Sequence, residues 1–276
     1  PCTYCTIPSV RGKSRSGTVA EIIRQANEIA EKGFKEIILT GVNIGDFGKG
    51  TDETFFDLIK ALDKVKGIER YRISSIEPNL ITDEIIEFTV KSNKFLPHFH
   101  IPLQSGSDKI LKLMKRRYNT ELFRSKIERI NELISDIFLG IDVIVGFPGE
   151  TDEDFKDTYN FLNRLNISFL HVFSYSVRPG TPAEMMSGKI SAKEIKRRSN
   201  LLHQLSDRKH KVFYERFIGT EHKVLFEGAK HQNSMFGFTE NYIKVEFPYN
   251  ENLVNKIVDF QITGINEKGH AEGLIK

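Results

Sequence analysis

Phe138-Leu-Gly-Ile-Asp-Val-Ile-Val145-Gly-Phe-Pro-Gly-Glu-Thr151 decides how this chain is read. Phe138–Val145 is apolar but for Gly140 and Asp142 and ends in β-branched residues, the pattern of a strand covered on both faces. A loop with two glycines and a proline follows. Thr151 and Asp154 then form a near-capping box that opens a helix. A strand feeding a helix through a short glycine loop is the repeating part of a βαβ crossover, and such units build parallel sheets.

The same alternation extends outward in both directions. Thr18 with Glu21 opens a helix through Glu31, which Gly33 closes. Lys35–Thr40 is a short strand; a helix over Phe55–Val65, a strand Tyr71–Ser75 and a helix after Thr82 follow. The strand Pro97–Leu103 and helices over Lys109–Met114 and Glu121–Leu133 precede the quoted stretch, and the strand Ser168–Tyr175 ends the series. Function in such folds collects at the carboxyl ends of the strands. Those ends, residues 40–43, 74–78, 104–107, 146–150 and 174–178, are rich in Gly, Ser, Asn, Gln, Glu and Pro. The expectation is an α/β fold, a closed or partly open barrel with its ligand on that rim.

Ser191 with Glu194 opens a long helix to about Phe217, carrying Lys193, Lys196, Arg197, Arg198, Arg208, Lys209, Lys211 and Arg216. A solvated helix packed on the barrel's side is the favoured reading, and contact with an RNA backbone the other. After Gly219 the pattern changes to short alternating strands, His222–Phe226, Tyr242–Phe247, Lys256–Ile265 and Ala271–Ile275, separated by glycines. This reads as a small all-β barrel, and the domain boundary falls between residues 216 and 217.

The 276 residues are enough for one large and one small domain, and 39% hydrophobic with 28% charged is ordinary globular composition. No apolar run approaches bilayer-crossing length, and no signal-peptide pattern opens the chain. Residues 1–216 carry 34 Lys+Arg against 29 Asp+Glu and residues 217–276 carry 6 against 8, a weak footprint for nucleic acid. Cys2 and Cys5 are the two cysteines, too few for a disulfide scaffold, so a reducing cytoplasm is expected.

Cys2-Thr-Tyr-Cys5 alone is ambiguous among half a zinc site, a redox pair and part of an iron–sulfur site. Zinc would need a second ligand pair, which the sequence does not offer at suitable spacing. A thioredoxin-like pair would open a helix after a strand, whereas Ile7-Pro8 and Gly12 read as a loop. A [4Fe–4S] cluster with one open iron needs three thiolates, of which two are visible. His98 and His100 share a strand face, but no carboxylate or Cys at ligand spacing supports a metal there, so packing or hydrogen bonding is favoured.

Cys2-Thr-Tyr-Cys5-Thr-Ile-Pro8 with Arg11-Gly-Lys-Ser-Arg-Ser16 resembles the cluster loop of radical S-adenosylmethionine (SAM) methylthiotransferases. Further matches follow in order: Leu39-Thr-Gly-Val-Asn43, Arg72-Ile-Ser-Ser-Ile-Glu-Pro78, Pro102-Leu-Gln-Ser-Gly-Ser-Asp108, Val145-Gly-Phe-Pro-Gly-Glu-Thr151 and Tyr175-Ser-Val-Arg-Pro-Gly-Thr181. The tail is similar to a TRAM domain, a tRNA-binding barrel. Thr40-Gly-Val-Asn43, Gln104-Ser-Gly-Ser107 and Phe236-Gly-Phe-Thr-Glu-Asn241 look most like the branch acting on threonylcarbamoyladenosine.

The resemblance implies a partial (β/α)6 barrel followed by TRAM, and a tRNA methylthiotransferase modifying N6-threonylcarbamoyladenosine in the anticodon stem-loop. Its cofactors would be SAM and a [4Fe–4S] cluster, with an electron donor as a further partner. One electron would cleave SAM to a 5′-deoxyadenosyl radical, and the protein would orient and shield it. Cys2 and Cys5 would be cluster ligands, and Tyr4 would pack near the SAM adenine. Gly41 and Asn43 would approach the methionine group. Ser74, Ser75 and Gln104 would serve ribose, carboxylate or substrate, and Gly146 and Pro148 would border the adenine. Asp142, inside an apolar strand, needs a partner or a ligand. Arg11, Lys13, Arg15 and Arg178 would meet RNA phosphate, a carboxylate or only a neighbouring loop.

The family's first cluster cysteine would stand four positions before Cys2, outside this chain. Its amino-terminal domain, with a second [4Fe–4S] cluster, would also precede residue 1. The chain by itself is therefore expected to bind the cluster poorly and to be inactive. A methylthiotransferase acting on a ribosomal-protein aspartate, a non-catalytic RNA-binding module and a barrel hydrolase with a coincidental CxxC are the rival readings.

Overall fold

A computed structural model describes residues 2–12 and 14–276. The larger part runs α1 (Ile7–Arg11), α2 (Val19–Glu31), β1 (Glu36–Leu39), α3 (Phe55–Leu62), β2 (Arg70–Ile73), α4 (Asp83–Lys91), β3 (His98–Gln104), α5 (Asp108–Leu113), α6 (Thr120–Leu133), β4 (Phe138–Val145), α7 (Asp152–Arg164), β5 (Phe169–Ser174) and α8 (Ala192–Glu215). Local chemistry sets the boundaries. Thr18, Thr54 and Thr151 each complete a reciprocal capping box. Ser191 accepts from the Glu194 amide at the start of α8. Glu194 does not return the bond, because its carboxylate is taken by Arg197 and Arg198.

All pairings among β1–β5 are parallel: β1 with β2, and β3 with β4 with β5. Single bridges from Tyr71 to Phe95 and from Ser75 to His100 join the two groups into one row. The described residues thus form five parallel strands, the five legible in the sequence. One face packs on the helices, where Ile101, Leu103, Ile141, Val143 and Val145 are fully buried. Alternation puts His98, His100, Asp142 and His171 on the other, inner face.

The tail forms a closed barrel of β6 (Glu221–His231), β7 (Ser234–Thr239), β8 (Lys244–Pro248), β9 (Ile257–Ile265) and β10 (Ala271–Ile275), in the order β10-β8-β7-β6-β9. Its core of Val224, Phe226, Met235, Val245, Phe260 and Ile262 is continuous with Phe213, Tyr214 and Phe217 at the end of α8 and with Phe138 on β4.

Two sequence expectations are corrected here. The sequence reading places no strand between Phe226 and Tyr242, yet Ser234-Met-Phe-Gly-Phe-Thr239 pairs with both β6 and β8. Its glycine is what the closed barrel requires, since a Cβ at Gly237 would lie 2.6 Å from Val224. The segment after Cys5 is the short helix α1, not a loop; a proline in a first helical turn costs no needed donor.

The small barrel is clamped to the inner face of β2. Arg70 donates to the carbonyls of Phe238 (3.1 Å) and Lys223 (2.6 Å). Arg72 donates to those of Thr239 (2.7 Å) and Glu240 (3.0 Å), and its Nε meets Glu36 at 2.7 Å.

Candidate active site at the strand-end rim

The cysteine loop is seated through Thr3, which is buried. Its amide donates to the Met114 carbonyl (3.2 Å), its hydroxyl to Leu113 (2.9 Å), and its carbonyl accepts from the Ala183 amide (2.9 Å). α5 ends with Lys115 in the left-handed region, φ +55°, and the Arg116 amide returns to the Leu111 carbonyl. That turn aims Arg116 under the loop. Nη1 donates to Cys2 Sγ, Nη2 to Glu77 Oε1 and Nε to the Tyr118 hydroxyl, each at 2.9 Å. Burial opposes the Arg116 charge, but Tyr118, Cys2, Tyr4 and Glu77 more than offset it, holding its pKa above the ordinary value. Glu77 in turn donates its amide to Asn43 Oδ1 at 3.4 Å, which links the ends of β1 and β2 to the loop.

Tyr4 meets Phe147 edge-on at 6.0 Å, and Phe147 meets Tyr175 at 5.5 Å. Ile110, Met114 and Ala183 pack around this aromatic row. Among the described residues, the Tyr175 hydroxyl is buried with no hydrogen-bond partner. The adjoining loop is fixed from below: the Gly146 amide donates to Glu150 Oε2 (2.9 Å), and Arg198 Nη1 reaches the same oxygen (2.7 Å) and the Glu150 carbonyl (3.1 Å). Gly146, at φ +83°, is demanded by packing, because a Cβ there would lie 2.5 Å from Ile195 on α8. Pro148 is buried in the same loop. Gly41 differs: a Cβ would find nothing nearer than Ile44 at 3.8 Å, so the fold itself leaves room there.

Ser74 and Ser75 are half-buried at the end of β2, where the Ser74 amide donates to Leu39 and Ser75 bridges to His100. Gln104 ends β3 at φ +73°, a conformation costly for a residue with a Cβ, at a shift in the β3–β4 register. Asp142 has a partner, not at the rim but midway along the inner face. Its Oδ1 lies 2.6 Å from His100 Nε2, and the His171 ring is 4.6 Å from that of His100. Burial, with His100 adding to it, lowers the His171 pKa below the usual imidazole value. His98, on the same face, packs against Phe138 and Tyr242.

Arg11, Arg15 and Arg178 are exposed, and the Arg178 carbonyl accepts from Thr181 in a tight turn. Lys13 lies outside the described residues. Most of the Lys and Arg side chains on and just after α8 are engaged with protein: Arg197 with Glu194, Arg198 with Glu150, Arg208 with Tyr159, Lys209 with the Asn163 and Leu165 carbonyls, Lys211 with Glu215 and Arg216 with Ser135. This matches a helix packed on the barrel's side. Burial pulls the Lys209 pKa down to about 8.

Three residues central to this geometry carried no role in the sequence reading: Arg116, Tyr118 and Tyr175. Arg116 sits in Lys115-Arg-Arg117 after a helix, where basic residues are ordinarily solvated. Its significance rests on the φ of Lys115, which the sequence does not advertise. The radical SAM superfamily profile matches residues 1–162, from the cysteine loop through α7. The chain belongs to the radical SAM superfamily.

Two relatives cover nearly all of this radical SAM chain. "Threonylcarbamoyladenosine tRNA methylthiotransferase MtaB" of Bacillus subtilis (strain 168) is 41% identical over 267 residues, 95% of this chain and 59% of the relative. "tRNA-2-methylthio-N(6)-dimethylallyladenosine synthase" of Alkaliphilus oremlandii (strain OhILAs) is 38% identical over 266 residues, again 95% of this chain and 56% of the relative. The chain therefore spans less than two thirds of these relatives' length. Among solved structures, the radical S-adenosylmethionine methyltransferase TsrM from Kitasatospora setae aligns with TM-score 0.56 at 14% identity, covering 67% of this chain and 36% of that one. Streptococcus suis SuiB aligns with TM-score 0.53 at 16% identity, covering 75% and 45%. These two establish likeness of fold.

The family implies a [4Fe–4S] cluster and SAM. Among the described residues no three His, Cys, Asp or Glu side chains are grouped to hold a metal ion. The two thiols still fit such a cluster in part. They are soft donors on one tight turn, the Cys5 amide donating to the Cys2 carbonyl at 3.4 Å, and both are free. They would be two of the three thiolates such a cluster needs. The unpartnered Tyr175 hydroxyl and the open space at Gly41 lie at rim positions that suit a bound cofactor.

Proposed function

We propose that residues 1–216 are the radical SAM catalytic domain and residues 217–276 a TRAM-like RNA-binding barrel of a tRNA methylthiotransferase. Its substrate is N6-threonylcarbamoyladenosine next to the anticodon. The observation that carries this reading is the 41% identity over 267 residues, 95% of this chain, to the Bacillus subtilis relative. Cys2 and Cys5 hold the cluster with one further ligand from outside this chain's cysteines, and a second cluster belongs to an amino-terminal domain. When bound, the cluster and SAM supply a carbon radical able to take hydrogen from the adenine ring, fed by an external electron donor.

This chain's residues orient and shield that chemistry. Tyr4, Phe147 and Tyr175 form an aromatic wall for the adenine of SAM, with Gly146 and Pro148 shaping its border. Gly41 and Asn43 admit the methionine end, and Ser74, Ser75 and Gln104 offer polar groups at the neighbouring strand ends. The His100–Asp142 pair with His171 faces the inner space where a substrate nucleoside would enter. Arg11 at the end of α1 and Arg15 and Arg178 are exposed and suited to phosphate, and Lys13 would join them.

A second reading has its own support, because the Alkaliphilus relative is nearly as similar at 38% and is named for dimethylallyladenosine. Mass spectrometry of tRNA nucleosides from cells lacking the gene separates the two. Loss of the methylthio form of threonylcarbamoyladenosine, with its parent accumulating, is the expected result. Loss of the dimethylallyl product instead transfers the proposal to that nucleoside. Unchanged tRNA overturns both and directs attention to a ribosomal protein.

A further inference from the structure

We infer that Arg116 is a positioning residue for the iron–sulfur cluster, holding the sulfur of Cys2 and favouring the cluster's reduced state. The inference rests on the proposed role of Cys2 as a ligand. Its basis is that the three nitrogens of one buried guanidinium are directed to three partners. Nη1 takes the sulfur, Nη2 the Glu77 carboxylate from the end of β2, and Nε the Tyr118 hydroxyl. The side chain is 6% exposed.

The partners are themselves fixed. The Tyr118 hydroxyl reaches the carbonyls of Pro102 (2.5 Å) and Leu103 (3.2 Å) on β3. The loop that carries Cys2 is docked through Thr3 onto the end of the very helix from which Arg116 departs. Arg116 therefore cannot retreat from the sulfur without breaking contacts to two strands. A planar fork with fixed donor directions meets this geometry, and a lysine ammonium cannot reproduce it.

Reduction adds negative charge to a cluster. A cation and an N–H donor at a ligand sulfur, in a site shielded from water, stabilise that charge and raise the potential. Glu77 acts in the opposite sense, partly neutralising the guanidinium. The two residues therefore make predictions of opposite sign, which a purely structural role for Arg116 would not.

The test uses the full-length, anaerobically reconstituted protein, with iron and sulfide per chain and the cluster's midpoint potential, followed by electron paramagnetic resonance, as readouts. Arg116→Gln is expected to keep the cluster and shift its reduced-to-oxidised ratio at fixed potential about tenfold toward oxidised, about 59 mV for a one-electron couple. Arg116→Lys, which keeps the charge, recovers part of that shift. Glu77→Gln shifts the ratio toward reduced and serves as the deciding variant if Arg116→Gln loses its iron. A Glu77→Gln potential that is unchanged or more negative overturns the inference, as does an Arg116→Gln ratio within twofold of the parent. Cys2→Ala separates the two levels of the argument. Loss of iron there with no effect at Arg116 overturns this inference alone, whereas full iron retention removes Cys2 as a ligand.

Discussion

At the carboxyl ends of the strands Arg116 reaches a sulfur, a carboxylate and a phenol, whereas near the amino ends Arg70 and Arg72 reach four backbone carbonyls of the small barrel. Apart from Arg72 Nε, which meets Glu36, the seam directs these donors to main chain, which is always present and never changes charge, so its product is a fixed joint. The rim directs Arg116 at the Cys2 side chain and, among the described residues, leaves the Tyr175 hydroxyl without a hydrogen-bond partner. Buried polar groups are ordinarily satisfied, so an orphan hydroxyl at the rim is a place where a ligand can supply the missing partner. The seam has its own irregularities: among the described residues, Glu36 Oε2, 3.8 Å from Arg70, and the buried His98 Nδ1 and Asn241 Nδ2 have no hydrogen-bond partner.

The most severe way to break this contrast is Arg72→Met. It leaves Glu36 with only the 3.8 Å approach of Arg70 and releases the Thr239 and Glu240 carbonyls at a site where the arginine side chain is 2% exposed. Removing one partner of a buried ion pair costs about 3–5 kcal/mol. Urea unfolding followed by circular dichroism, in a chain without tryptophan, reads the loss directly. A loss below about 1 kcal/mol would mean that the joint is held by its apolar contacts, and the seam would not differ from any packed surface.

Acid sharpens the same comparison. His98 sits in the seam between Phe138 and Tyr242, and burial, with help from the Arg72 charge, pulls its pKa down to about 3. The unfolded chain protonates this imidazole near pH 6.5, while the folded chain leaves it neutral. Stability that is complete above pH 6.5 is therefore lost as pH falls toward 3, at up to about 1.4 kcal/mol per pH unit for the one proton. His98→Phe, which keeps an aromatic ring without the ionisable group, should flatten the slope of urea midpoints between pH 7 and 5. An unaltered slope would assign the acid sensitivity elsewhere.

How much of this was legible in the sequence follows the same division. The five parallel strands could be read from apolar runs and capping threonines, because secondary structure is written in local periodicity. The cysteine loop, Tyr4 and the Gly146–Glu150 turn could be found as motifs. Arg72 opens the matched stretch Arg72–Pro78, yet its role did not show, since the carbonyls it holds are more than 160 residues away and carry no side-chain signature. Strand β7 was missed for a related reason: Gly237 reads as a loop signal until the crowding inside a closed barrel makes it a requirement. Asp142 was singled out correctly as needing a partner, but only the fold supplies His100 from the adjacent strand.

The gentlest substitution is also the most discriminating for the rim. At Gly146 an added methyl would strike Ile195, so that glycine belongs to the architecture. At Gly41 the same methyl meets only Ile44 at ordinary contact distance, and the backbone is not in the left-handed region. Gly41→Ala should therefore change unfolding stability by no more than about 0.5 kcal/mol, as surface substitutions do. If the methionine end of SAM approaches this backbone, equilibrium dialysis on the cluster-loaded protein should show SAM binding weakened about tenfold, equivalent to about 1.4 kcal/mol. Unchanged affinity with unchanged stability would show that neither fold nor cofactor uses Gly41. The rim's vacant space would then belong to the substrate nucleoside, and the methionine group would be sought nearer Ser74 and Ser75.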